Sequence, residues 1–113
     1  MKHQELAIEI AKALDAKQAE NIRVLDVRGI STLTDYCVIA TGTSGPHLKA
    51  LISGTQQRMK ELNVSVYRKS GDPESGWAIA DYVNVVTHVF SPEAREYYAI
   101  ENLWTTAPEI PFR

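Results

Sequence analysis

Leu6, Ile10, Ala13 and Leu14 recur at helical spacing while Lys2, Glu5, Glu9, Lys12 and Asp15 fall mostly elsewhere, which predicts a surface helix with one buried stripe ending near Lys17. Ile22, Val24, Leu25 and Val27 make a short β-rich run broken by Gly29, and Tyr36 to Thr41 makes a second. The second run is almost continuously apolar, as expected of a central strand covered on both faces. Gly42-Thr43-Ser44-Gly45-Pro46 then reads as a strand-to-helix turn, because a proline in the first helical turn sacrifices no hydrogen bond. Leu48, Leu51, Ile52, Thr55, Met59 and Leu62 keep one helical face for about four turns. Val64, Val66 and Arg68 alternate with Ser65, Tyr67 and Lys69 in the strand expected next, so strand, helix and strand form a crossover predicted to be parallel and right-handed.

Ser70 to Gly76 is rich in turn formers and predicts an exposed, mobile loop. Trp77 to Asp81 and Val85 to Phe90 are separated by a short connection and read as a hairpin. Ser91-Pro92-Glu93 supplies a capping serine, a first-turn proline and an acid for a third helix, whose apolar face is expected from Tyr97, Ile100, Leu103 and Trp104. Pro108 and Pro111 stop that helix, so residues 1–107 are expected to form one domain and 108–113 an extended or disordered, flexible tail. The expected fold class is α/β: a single domain with a mixed sheet of about five strands and about three helices, in the order αββαβββα.

A chain of 113 residues encloses one core and leaves no room for a second catalytic lobe. Its formal charge of −2, with both signs interspersed, provides no basic field for phosphate backbones, so sequence-specific nucleic-acid binding is not expected. Such a surface suits a basic protein partner instead. Cys37 is the only cysteine, which excludes an intramolecular disulfide and a cysteine-based metal site and points to a reducing, cytoplasmic compartment. The first residues contain no apolar signal-peptide core and the longest apolar run, Tyr36 to Ala40, is too short for a bilayer, so no membrane association is expected.

Catalytic chemistry finds little support. The turn at Gly42 to Gly45 precedes a helix, where free N–H groups can cradle a phosphate, but it lacks the P-loop and dinucleotide-binding signatures and fits a structural turn better. Nucleotidyl transfer needs two metal-binding carboxylates on one strand face; Asp72-Pro73-Glu74 has the spacing but sits in a proline-containing turn. His47 and His88 stand apart without ligand spacing, and His88 inside an apolar strand reads as a hydrogen-bonded structural histidine. No Gly-x-Ser-x-Gly nucleophile motif occurs. No enzyme activity, cofactor or metal is therefore expected. Trp77 opens a strand beside an exposed loop, and both an interface anchor and a core residue fit that position.

Four stretches taken in order are more specific: Asp35-Tyr36-Cys37-Val38-Ile39-Ala40-Thr41-Gly42-Thr43-Ser44, then Trp77-Ala78-Ile79-Ala80-Asp81-Tyr82, then His88-Val89-Phe90-Ser91-Pro92-Glu93-Ala94-Arg95-Glu96-Tyr97-Tyr98, and finally Glu101-Asn102-Leu103-Trp104. Together they resemble the ribosomal silencing factor family, also called Iojap, over about residues 4–107. The resemblance implies a nucleotidyltransferase-like sheet without the catalytic acids. It also implies binding to a large-subunit ribosomal protein of the intersubunit face, number fourteen in that series, and steric exclusion of the small subunit, so that translation is repressed. The binding residues it implies are Trp77, Asp81, Tyr82, Asn84 and His88. Members of the family often form homodimers, and the open edges of a mixed sheet allow such pairing. The chain departs from the family pattern where Pro46 stands for an arginine, Ser70 for a glutamate and Val83-Asn84 for glycine-aspartate, which removes two acids near the implied contact. A nucleotide-binding or nucleotidyl-transferring enzyme and a large-subunit assembly factor are the alternatives.

Overall fold

The computed structural model describes residues 1–113. The elements are α1 (His3–Ala16), β1 (Glu20–Asp26), β2 (Tyr36–Thr41), α2 (Gly45–Glu61), β3 (Arg68–Asp72), β4 (Trp77–Asp81), β5 (Val85–Phe90) and α3 (Pro92–Tyr98), with 3-10 turns at Pro73–Ser75 and Ile100–Trp104. The strands form one mixed sheet in the order β1-β2-β5-β4-β3, in which β2 and β5 are parallel and the other neighbours antiparallel. The fold is thus the expected α/β domain with three helices and five strands.

Local chemistry sets the helix starts. The Ser44 hydroxyl accepts from the His47 N–H and the Ser91 hydroxyl from the Ala94 N–H, each at 3.1 Å and each ahead of a first-turn proline. The stripes of α1 and α2 then meet one face of the sheet. Leu6, Ile10, Leu14, Leu48, Leu51 and Met59 pack there on Val24, Val38, Val85 and Val89. Because side chains alternate along a strand, Tyr36, Val38 and Ala40 of β2 point into this layer while Cys37 and Ile39 point into a smaller cluster on the opposite face, with Leu25, Val27, Phe90 and Ala94. All six residues of β2 are buried, in agreement with its apolar run.

Four expectations need correction. The strand after α2 does not include Val64 and Val66; both pack against the helix-side core, and the pairing begins at Arg68. The segment from Ser70 to Asp72 is accordingly not a mobile loop but the end of β3, an edge strand with every residue exposed. Backbone bonding to one neighbour suffices there, and no apolar pattern is needed to form it. Gly71 is indispensable to that edge, since it sits at φ 80° and a Cβ would lie 2.4 Å from the Trp77 carbonyl oxygen. The crossover from β2 does return to a strand parallel to it, as expected, but at the far edge of the sheet, and the parallel neighbour of β2 is β5.

The third helix breaks at Ala99, which adopts φ 47° and ψ 43°. Ile100 and Trp104 still cover the smaller cluster, but Tyr97 and Leu103 are 82% and 69% exposed, off the buried face assigned to them. Finally, residues 108–110 are not a free tail. The Asp26 N–H donates to the Pro108 carbonyl at 2.9 Å, and the Ile110 N–H donates to the Val24 carbonyl at 2.8 Å. Ile110 and Phe112 pack against the helix-side core. The outer edge of β1 offers unpaired backbone groups, and a proline-rich segment, already extended, satisfies them.

Candidate partner-binding face

The helix-poor face of the sheet is covered on one side only. Ala94, Ile100 and Trp104 shield Leu25, Cys37, Ile39 and Phe90, while the same face continues across β5 and β4 as Val86, His88, Trp77, Ile79 and Asp81, all only partly buried. Register sets these side by side: Trp77 lies opposite Phe90, Ile79 opposite His88, and Asp81 opposite Val86. The result is an apolar sheet surface, rimmed by Asp81 and by its β3 partner Arg68, open to another molecule.

Trp77 and His88 organise its centre. The indole lies 5.0 Å from the Phe90 ring and 4.5 Å from the Tyr98 ring, and its Nε1–H donates to His88 Nδ1 at 3.2 Å. Burial pushes the His88 pKa down from its ordinary 6.5 to about 4. The indole donor acts in the same direction, because a protonated Nδ1 would face another N–H. His88 is therefore neutral, with its proton on Nε2, so the surface presents no histidine cation at neutral pH. Since the folded value lies below the unfolded one, the unfolded chain takes up the proton first as pH falls. Stability is then lost between pH 6.5 and about 4, by up to about 3 kcal/mol. Denaturant titrations across this range should show that loss in the wild type and a flatter profile in His88→Gln; identical profiles would show that His88 does not contribute it.

The residues implied by resemblance do not all share this surface. Trp77, Asp81 and His88 come together on it. Asn84 occupies the β4–β5 turn, where its side chain donates to Asp35 Oδ2 at 3.3 Å and its carbonyl accepts from the N–H groups of Asp35 and Tyr36. Tyr82 lies in the helix-side core, where burial raises its phenol pKa to about 12 and leaves its hydroxyl without a partner. Ile79 and Val86 were not singled out from the sequence, although the period of two running through Trp77 and Asp81 marks Ile79 for the same face. Val83, in the turn between β4 and β5, takes φ 75°.

The turn between β2 and α2 has little left to offer a phosphate. The Gly42 N–H donates to the Phe90 carbonyl at 2.8 Å and the Thr43 N–H to His47 Nδ1 at 2.9 Å, while the His47 ring holds the Lys17 carbonyl at 2.8 Å through Nε2. A Cβ on Gly42 would lie 2.7 Å from Leu48, so this glycine serves close packing. No three histidine, cysteine, aspartate or glutamate side chains converge as a metal site would require. The lone Cys37 is buried, and its thiol pKa is raised to about 12, which suppresses the reactive thiolate. No helix is long and apolar enough to cross a membrane.

Known proteins place this architecture. The chain matches over residues 1–113 the family described as "Ribosomal silencing factor during starvation". It is 38% identical over 98 residues to the ribosomal silencing factor RsfS of Bacillus subtilis, covering 87% of this chain and 83% of that one. A mouse protein named "Mitochondrial assembly of ribosomal large subunit protein 1" is 34% identical over 99 residues, covering 85% of this chain and 43% of its own length. A crystal structure of a Chromobacterium violaceum protein superposes with a TM-score of 0.88 at 35% identity, covering 93% of this chain and 88% of that one. Extending over the whole chain and matched in both sequence and fold, these likenesses establish that the chain belongs to the ribosomal silencing factor family.

Proposed function

We propose that this protein is a non-enzymatic repressor of translation. It binds a ribosomal protein on the intersubunit face of the large subunit and sterically prevents the small subunit from joining. The observation that carries this reading is the half-open sheet face, with Trp77, Ile79, Val86 and neutral His88 at its centre and Asp81 on its rim. An aromatic anchor in an apolar patch with charge at the margin is the pattern of a protein-binding surface. A body measuring 32 × 31 × 26 Å is large enough, once seated there, to hold two ribosomal surfaces apart without any chemistry.

Sedimentation through a gradient with isolated large subunits, small subunits and joined ribosomes tests the first step. The protein is expected with free large subunits alone; its absence from them would remove the proposal. Action during large-subunit assembly is the second reading, favoured by the name of the mouse relative. It predicts preference for precursor particles over mature subunits in the same gradients. A nucleotide-dependent enzyme is disfavoured by the internally bonded turn ahead of α2.

A further inference from the structure

Five residues other than glycine have positive φ, and Val83 is the only β-branched one among them. A branched Cβ makes left-handed backbone costly, so such a residue persists only where its surroundings fix it. Here they do. The Asn84 N–H donates to the Tyr82 carbonyl at 3.0 Å, closing a three-residue turn of the rare positive-φ form. The Tyr82 N–H donates to the Val85 carbonyl at 2.9 Å, and Asp81 Oδ1 accepts from the N–H of Val83 itself at 2.7 Å. The turn nevertheless leaves the residue half in solvent, for Val83 is 51% exposed. The strain thus displays a valine where a glycine would fit the backbone better.

We propose that the Val83 side chain is a contact residue, seated against an apolar patch of the same protein partner that covers the open sheet face; the inference rests on that proposed face. Continuity supports it. Val83 follows Asp81, the last residue of β4 on that face, by two positions and is hydrogen-bonded to it. The loop between β1 and β2 reaches the same end of the sheet, is tied to this turn through Asp35 and Asn84, and carries Leu33 with 88% of its surface exposed. Two apolar side chains thus stand out at the end of an apolar face, and the partner that fits both is a protein surface whose apolar area extends past the sheet.

The test measures melting temperature and affinity for free large subunits in wild type, Val83→Gly, Val83→Ala and Trp77→Ala. Val83→Gly is expected to melt about 5 °C higher because the strain is relieved. It should nevertheless bind about tenfold more weakly, as expected for losing one buried valine contact. Val83→Ala keeps a Cβ in left-handed backbone but loses the branch, so it should melt between the wild type and the glycine variant and bind as weakly as the glycine variant. Wild-type affinity in both variants overturns the inference, and so does a loss confined to glycine, since turn stiffness rather than the side chain would then be responsible. If Trp77→Ala binds weakly while both Val83 variants bind normally, the proposed face survives and only the role of Val83 falls. If the wild type itself does not bind, both fall.

Discussion

Trp77→Ala is expected to weaken binding to the free large subunit by about a hundredfold, the loss typical of a central aromatic anchor worth about 2–3 kcal/mol. One part of the indole stacks on Phe90 and packs at a tilt against Tyr98, and the other part faces outward beside Ile79 and His88. Alanine removes the outward part and with it the apolar area that excludes water from the contact. It also removes internal packing and leaves His88 Nδ1 without its donor, which should lower stability by about 2 kcal/mol. Trp77→Phe separates the two effects in part: it keeps one aromatic ring against Phe90 and Tyr98, loses the N–H together with the second ring, and should recover part of the stability. Equilibrium binding measured at a temperature where far-UV and near-UV dichroism show both variants folded provides the check. Undiminished affinity in folded Trp77→Ala would move the binding site elsewhere.

Arg95→Met is expected to lower stability by about 3 kcal/mol, or roughly 12 °C in melting temperature. The Arg95 guanidinium donates from Nε and Nη2 to the two carboxylate oxygens of Glu101 at 3.1 and 2.8 Å, and from Nη1 to the Asn21 carbonyl at 2.7 Å and the Thr41 hydroxyl at 2.8 Å. Only 13% of its side chain and 22% of that of Glu101 are exposed, so solvent replaces little of what is lost. Glu101 keeps Arg23 at 3.0 Å, and Arg23 in turn holds Glu109 beside β1. The substitution therefore loosens the 3-10 turn and the C-terminal segment without freeing either completely. The hydrogen bond from Arg95 is the main cause that holds the Glu101 carboxyl below its ordinary 4.5. Stability from this pair is thus present above that value and lost as pH falls through the lower, folded one. Arg95→Met should flatten that acid limb, and Arg95→Lys should not restore it, because an ammonium cannot form the forked contact. Chemical denaturation decides, and a loss below about 1 kcal/mol would show that the cluster is mostly solvated.

That cluster also explains what was hidden in the sequence. The β2 strand, the α2 stripe and the β4–β5 hairpin could be read directly, because each buries a face large enough to impose its period on the residues. The β3 strand could not, since an edge held by backbone bonds leaves Arg68 to Asp72 free to be polar. The break at Ala99 carries no glycine or proline to announce it. Arg23, Arg95, Glu101 and Glu109 are ordinary surface residues until the fold brings them together from positions up to 86 apart. Of the candidate site, Trp77, Asp81 and His88 share a face because all three follow the strand period, and by the same period Tyr82 falls with Ala78 and Ala80 in the helix-side core. The strained backbone at Val83 is a property of the turn closure and has no signature in residue type.

Subunit joining itself tests the central claim most directly. Purified large subunits would be incubated with the protein before small subunits are added, and formation of joined ribosomes followed by light scattering, with reversed order of addition as the comparison. Steric exclusion predicts that joined particles fall in proportion to the occupancy of large subunits, that Trp77→Ala restores them, and that protein added after joining acts only as fast as ribosomes dissociate. Normal joining at saturating occupancy of the large subunit would contradict it.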